Sequence, residues 1–180
     1  MLHLHLHHPS GLKTLGAHVF IGHAASNIGD ADILVVSSAI DQSNPEIIAA
    51  NDKGLVILTR AQALALLMSE SKSVAVAGTH GKTTTTAMIA WIFEYLKIDV
   101  GYLIAGKPKD FKKSARKGSE DIFVIEADEY DTAFFDKRSK FIHYKPDTLI
   151  VNNIEFDHAD IFKDITAIHK EFHNLIRSMP

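Results

Sequence analysis

No cysteine occurs among the 180 residues, which excludes a disulfide framework and a thiolate zinc site. The same absence fits a reducing cytosol. No run of 18 apolar residues exists, so the sequence predicts no membrane-spanning helix. A basic excess is missing too: 19 Lys+Arg stand against 22 Asp+Glu, a net charge of −3, and nothing points to nucleic acid as the main partner. The basic-then-apolar order of a signal peptide is absent from the N-terminus, where Met1 to His8 alternates Leu and His. His3, His5 and His7 would line one face of a strand, as in a metal-binding tract. Without a carboxylate or other ligand beside them, they read better as a frayed or artificial start, and residues 1–11 are expected to be disordered or non-native. The rest, 46% hydrophobic and 23% charged, is ordinary for a soluble globular protein.

What is present is a phosphate-binding pattern. The β-rich run Val74-Ala75-Val76-Ala77 meets Gly78-Thr79-His80-Gly81-Lys82-Thr83, and a helical run follows. Gly78 and Gly81 let the backbone bend close to a polyphosphate without a Cβ in the way. The N–H groups of the loop and of the helix start are expected to point at the anion, where the helix dipole also favours negative charge. Lys82 supplies a point charge for the β/γ-phosphates, and the Thr83 hydroxyl suits Mg²⁺. The full pattern would need glycine at 76, where this chain has Val76, so the remaining Gly-x-x-Gly-Lys-Thr is a shorter and less specific string.

Along the chain, strand and helix patterns alternate, which argues for α/β architecture with parallel sheets and flanking helices. Strands are expected at His18–Gly22, Ala31–Ser38, Leu55–Leu58, Val74–Ala77, Val100–Ala105, Ile122–Ile125 and Thr148–Val151. Asn44 caps a helix with Pro45 at its first position, ended by Gly54. Thr59 caps another over Arg60–Met68. The helix from Lys82 to about Leu96 is expected to face a sheet with Met88, Ile89, Ile92 and Leu96. Asp164 caps a last helix with the apolar stripe Ile165, Ile168, Phe172 and Ile176. The basic stretch Lys107–Lys117 reads as a solvated loop rather than an electrostatic collar for an anionic substrate. The polar segment Ser69–Ser73 marks a boundary between residues 1–70, a partial Rossmann-like domain, and 71–180, part of a P-loop ATPase-type domain.

In open parallel sheets, ligands bind outside the carboxyl ends of the strands. Three such ends carry polar groups: the phosphate loop, Glu126-Ala-Asp128-Glu129-Tyr130-Asp131, and Asn153-Ile-Glu155-Phe-Asp157-His158-Ala-Asp160. Four carboxylates within residues 126–131 repel one another unless a cation sits among them. Mg²⁺ on ATP phosphates is an apt cation, because it is hard and usually takes only one or two carboxylates. Glu126, at the strand end, is the first-choice ligand. His158 would serve a second metal or orient a phosphate oxygen.

These motifs resemble those of the Mur ligases. Gly78–Thr85 resembles the family's ATP loop, which also lacks the first glycine, and Glu126-Ala-Asp-Glu129 and Asn153-Ile-Glu-x-Asp157-His158-x-Asp160 are similar to its other two motifs. Gly22-His23, Val35-Val36-Ser37-Ser38-Ala39-Ile40 and Asn44-Pro45-Glu46 resemble the UDP-binding domain of the alanine-adding branch. Tyr130–Phe141 resembles the members of that branch that act on a tripeptide in peptidoglycan recycling. The resemblance implies a cytoplasmic bacterial ligase. Its ATP would phosphorylate the lactyl carboxylate of UDP-N-acetylmuramate, and the amine of L-alanyl-γ-D-glutamyl-meso-diaminopimelate, or of L-alanine, would attack the acyl phosphate. It implies Lys82, Glu126 and His158 as catalytic residues. Gly78, Thr79, His80, Gly81, Lys82, Thr83 and Thr84 would bind ATP, and Thr83, Glu126 and His158 would hold Mg²⁺. His23, Asn27, Ser37, Ser38 and Asn153 would bind substrate. Partners are a small-molecule nucleotide-sugar and a peptide, with no nucleic acid and no membrane; the sequence is silent on oligomeric state.

The family also has a glycine-rich first turn and a C-terminal domain that have no counterpart here, so a partial chain, inactive and marginally stable by itself, is expected. His173 stands where other branches have a carbamylated lysine, and no carbamate is assigned. A nucleotide-binding fragment without turnover, or another phosphate-loop enzyme such as a folylpolyglutamate synthase relative or a small kinase, are the competing readings.

Overall fold

The computed structural model describes residues 12–13, 16–106, 108–111, 113–127, 131–133, 136–139, 143–156 and 163–180. The Leu/His start, Lys107, Lys112, Asp128–Tyr130, Phe134, Phe135, Lys140–Ile142 and the segment 157–162 with His158 lie outside these described residues.

Elements follow in the order β1 (Ile33–Val36), α1 (Pro45–Asp52), β2 (Val56–Thr59), α2 (Arg60–Met68), β3 (Lys72–Ala77), α3 (Lys82–Tyr95) and β4 (Gly101–Leu103). After them come β5 (Ala115–Arg116), β6 (Ile122–Glu126), β7 (Asp131–Ala133), β8 (Asp136–Ser139), β9 (Thr148–Val151) and α4 (Ile165–Ser178). The chain divides into two compact units, Met1–Leu34 with Ile40–Ile57, and Val35–Ala39 with Leu58–Pro180. No described helix is long and apolar enough to cross a membrane.

In the first unit, α1 begins as its sequence dictates. The Asn44 side chain accepts from the Glu46 N–H, and Pro45, whose missing N–H costs nothing there, stands at the first position. Ile47 and Ala50 are its buried face. The expected strand at 18–22 is absent. Residues 17–24 are irregular backbone with Gly22 at φ 82°, and Ile21 is 94% exposed. Its apolar run Val19-Phe20-Ile21 has no described strand to pair with, and strand-favouring residues alone do not make a strand.

The second unit is built on a five-stranded sheet in the order β5-β4-β6-β3-β9. β3 lies between β6 and β9 and pairs parallel with both; β4 is parallel to β6. Only β5 runs antiparallel, against β4. This strand falls inside the stretch read as a solvated loop. Arg116 explains it: its guanidinium pairs with Glu94 at 2.7 Å and Asp99 at 3.1 Å, and it lies 5.0 Å over the Tyr102 ring. A charge-rich segment thus covers the sheet edge. The hairpin β7–β8 is antiparallel and also unanticipated.

Two apolar layers enclose the sheet. On one, Ile168, Phe172 and Leu175 of α4 pack with Met68, Ala75, Ala77, Phe123 and Ile125. Asp164 caps α4 through the Ala167 N–H, as expected. Leu175 rather than Ile176 completes the buried stripe, and Ile176 is 56% exposed. The other layer joins Ala90 to Val100, Tyr102, Ile104 and Val124, with Ile89 and Phe93 beside them. Here the expected face of α3 is rotated. Met88 is 61% exposed, and Ile92 and Leu96 are exposed as well, while Thr86 and Ala90 are fully buried. The run Ala87–Phe93 is apolar around nearly the whole helix, so its period does not single out one face. Small residues face the sheet because they allow α3 to lie close to it.

Candidate functional site

The end of β3 is where the backbone turns into the phosphate loop. Gly78 adopts φ 131° and Gly81 φ 78°, conformations that L side chains rarely take. A Cβ on Gly78 would lie 2.9 Å from the Asn153 carbonyl oxygen and 3.1 Å from its nitrogen. The neighbouring strand end therefore packs directly against the loop backbone.

That neighbour decides which loop amides face outward. The Thr79 N–H donates to the Asn153 carbonyl at 3.1 Å, and the His80 N–H donates to Asn153 Oδ1 at 2.9 Å. The Thr79 hydroxyl donates to the Glu155 carbonyl at 3.1 Å and accepts from the Glu155 N–H at 2.9 Å. Both amides are thus turned toward the segment after β9, contrary to the expectation that every loop amide points at the anion. The donors at the helix start remain for it. Gly81 caps α3 without a side-chain bond, and the Thr85 N–H to the Gly81 carbonyl, at 3.0 Å, opens the helical ladder. The amides of Thr83 and Thr84 precede that bond, in the turn where a helix has no internal acceptors to offer. The Lys82 ammonium is held beside them, donating to the Gly78 carbonyl at 2.7 Å and the Thr79 carbonyl at 3.4 Å.

Glu126, the last residue of β6, meets this loop from the adjacent strand. The Thr83 hydroxyl donates to its Oε2 at 2.9 Å, and the Ala105 N–H donates to its Oε1. Only 8% of Glu126 is exposed, so the carboxylate is aimed and shielded at once. The register explains the meeting, since Val76 of β3 lies opposite Glu126. Two hard oxygen donors 2.9 Å apart, the Thr83 hydroxyl and the Glu126 carboxylate, are of the chemistry that would hold Mg²⁺. Among the described residues no group of three or more His, Cys, Asp or Glu gathers to hold a metal.

Beside Thr83 and Thr84 opens a cavity of about 830 Å³. Met88, Trp91 and Ile92 form one wall, and Ala105, Gly106 and Phe111 the other. Trp91 stacks on Tyr95 with centroids 5.5 Å apart. The volume lies within the range of small-molecule sites, which is roughly 300–1,000 Å³.

The residues expected to bind a nucleotide-sugar have other surroundings. His23 Nδ1 lies 2.9 Å from Glu46 Oε2, and Asn27 Nδ2 donates to Glu46 Oε1 at 2.7 Å. An ionised carboxylate only accepts, so Nδ1 carries the proton. The His23 bond, ahead of that from Asn27, holds the Glu46 carboxyl below the usual glutamate range. Glu46 thereby gathers both expected residues, a role the sequence reading missed; the spacing of Asn44-Pro45-Glu46 at a helix start was the available signal. Ser37 and Ser38 follow β1, and the Ser37 hydroxyl accepts from the Ala39 N–H at 3.4 Å. Asn153 faces the phosphate loop, as described above. His158 lies outside the described residues.

Residues 76–180 match the family model for the Mur ligase middle domain, and residues 6–72 match that for the Mur ligase catalytic domain. A UDP-N-acetylmuramate–L-alanyl-γ-D-glutamyl-meso-2,6-diaminoheptandioate ligase of Escherichia coli (strain K12) is 47% identical over 171 residues, 94% of this chain and 37% of the relative. The Haemophilus influenzae protein of the same name is 50% identical over 150 residues, 83% of this chain and 33% of its own length. Among solved structures, a UDP-N-acetylmuramate:L-alanyl-γ-D-glutamyl-meso-diaminopimelate ligase from Neisseria meningitides superposes with a TM-score of 0.85 at 43% identity. That match covers 96% of this chain and 57% of the other. The chain thus spans little more than a third of the curated relatives.

Proposed function

Because the chain belongs to the Mur ligase family, we propose that it forms part of an ATP-dependent ligase joining the carboxylate of UDP-N-acetylmuramate to the amine of L-alanyl-γ-D-glutamyl-meso-diaminopimelate. Residues 71–180 supply the ATP site and residues 1–70 part of the UDP-sugar site, in a cytoplasmic enzyme of bacterial peptidoglycan recycling. The observation that carries this reading is the bond between the Thr83 hydroxyl and Glu126, which joins the phosphate loop to a buried carboxylate on the next strand.

The work of this chain's residues is positioning and charge neutralisation. Lys82 and the amides at the start of α3 hold the triphosphate. Thr83 and Glu126 hold Mg²⁺, which when bound offsets the negative charge of the phosphoryl oxygens. The cavity along α3 gives the carboxylate-bearing sugar room beside the reacting phosphate. The lactyl carboxylate oxygen attacks the γ-phosphorus, and ADP leaves. The peptide amine then adds to the acyl carbon of the mixed anhydride, loses its proton, and phosphate departs as the amide forms. His158 is proposed to assist with a second metal, and His23, Asn27, Ser37 and Ser38 to contact the UDP portion.

The test is phosphate release by the intact protein. Release is expected to require ATP, Mg²⁺, UDP-N-acetylmuramate and the tripeptide together. Release with L-alanine in place of the tripeptide would assign the alanine-adding reaction instead, and ATP binding without release would leave a nucleotide-binding module. Lys82→Ala is expected to lower kcat/KM for ATP by about 10³-fold or more. Retention of normal MgATP binding by that variant would remove the phosphate-loop reading.

A further inference from the structure

We propose that Asn152 is a positioning residue for the phosphate loop, whose carboxamide and the Thr85 hydroxyl together raise the affinity for a nucleoside triphosphate. The inference rests on the ATP reading above and deepens it. Asn152 follows the last residue of β9, and its own N–H donates to the Ala77 carbonyl at 3.0 Å, which ties its backbone to the end of β3. Its side-chain Nδ2 donates to the His80 carbonyl at 3.3 Å and to Thr85 Oγ1 at 3.0 Å. Thr85 Oγ1 also lies 3.3 Å from Asn152 Oδ1. His80 and Thr85 flank Lys82, Thr83 and Thr84 in sequence, so one carboxamide on a sheet strand spans the whole anion-facing segment. The fit is close on the loop side, because a Cβ on Gly81 would come 3.1 Å from Asn152 Nδ2.

Asn153 holds the same residue, with Oδ1 accepting from the His80 N–H and Nδ2 3.4 Å from the His80 carbonyl. Both backbone polar groups of His80 are thereby engaged by two consecutive asparagines. A loop held in one geometry before the anion arrives does not lose that freedom on binding, so the gain appears as affinity. Asn152 acts through His80 and Thr85 rather than on the phosphates.

The experiment measures the MgATP dissociation constant and the KM of each substrate in the intact protein, with its thermal midpoint. Asn152→Ala is expected to weaken MgATP about 3–10-fold. The KM values for UDP-N-acetylmuramate and the amine are expected to hold within twofold, and the midpoint within about 2 °C. Thr85→Val is expected to produce a smaller loss of the same selective kind, and the double variant to be no worse than Asn152→Ala alone, because Asn152→Ala already breaks the contact that Thr85→Val removes. An unchanged MgATP constant in Asn152→Ala, or losses that simply multiply in the double variant, overturns the proposal. A rise in every KM accompanied by a large fall in midpoint also overturns it, since that reports general damage. Failure of the unsubstituted protein to bind MgATP overturns the ATP reading and this proposal together, whereas binding by the unsubstituted protein that Asn152→Ala leaves intact overturns this proposal alone.

Discussion

The phosphate loop, at the start of α3, and the segment 22–28, which contains a short 3₁₀ helix at Ala25–Ile28, are held in different ways. The loop at 78–81 is bonded by backbone and asparagine groups from the segment after β9, and its glycines sit against that segment at contact distance. None of these bonds depends on a titratable group. The segment around His23 and Asn27 converges on one carboxylate, Glu46. The backbone and carboxamide groups of the first arrangement do not titrate at moderate pH. The second is a clamp that acid can release. The contrast teaches that two turns of similar sequence character differ in robustness because one is framed by strands and the other by a side chain.

The largest effect is expected from Gly78→Ala. The new Cβ meets backbone atoms of Asn153 that cannot yield, and φ 131° is strained for alanine. A stability loss of about 2–4 kcal/mol is expected by chemical denaturation, with MgATP binding abolished. A variant that folds and binds normally would break the claim that the strand end frames the loop.

A smaller effect is expected from Glu46→Gln. The Glu46 carboxyl is held below its ordinary value by His23, so its contribution is complete at neutral pH and is lost in acid as pH falls through the lowered folded value. The protection of the 22–28 amides, taken against their intrinsic exchange rate at each pH, is expected to fall over that acid range in the unsubstituted protein. In Glu46→Gln protection is expected to be about 3–10-fold lower already at pH 7, with little further loss in acid. MgATP binding should stay within twofold; a comparable loss there would erase the distinction between the two regions.

The smallest effect on stability is expected from Met88→Lys, whose side chain is exposed and lines the cavity along α3. Stability should change by less than about 0.5 kcal/mol, measured by denaturation. A loss of several kcal/mol would restore the face of α3 that periodicity had suggested.

Much of the site could be read without coordinates, for local reasons. Glycines at 78 and 81 announce a backbone that side chains would obstruct, and Lys82-Thr83 after them announces the anion. Glu126 was legible because a carboxylate closing an apolar strand stands where parallel sheets place their ligands. Asn44, Thr59 and Asp164 cap their helices as side chains of that kind do. Where the reading failed, it lacked a neighbour. Residues 18–22 have strand-like residues but no described partner strand, and the apolar run of α3 does not say which side meets a sheet.

Local chemistry alone therefore placed the glycine turn after β3, Lys82 at the start of α3, Glu126 at the end of β6 and most of the alternation of strands and helices. Tertiary structure alone decided that the amides of Thr79 and His80 turn toward Asn153, that Asn152 and Asn153 bond the loop, and that Glu46 gathers His23 and Asn27. The physical reason is distance along the chain. Backbone permissiveness, capping and periodicity are properties of a few consecutive residues, whereas a hydrogen bond between His80 and Asn153 exists only once β9 has paired beside β3.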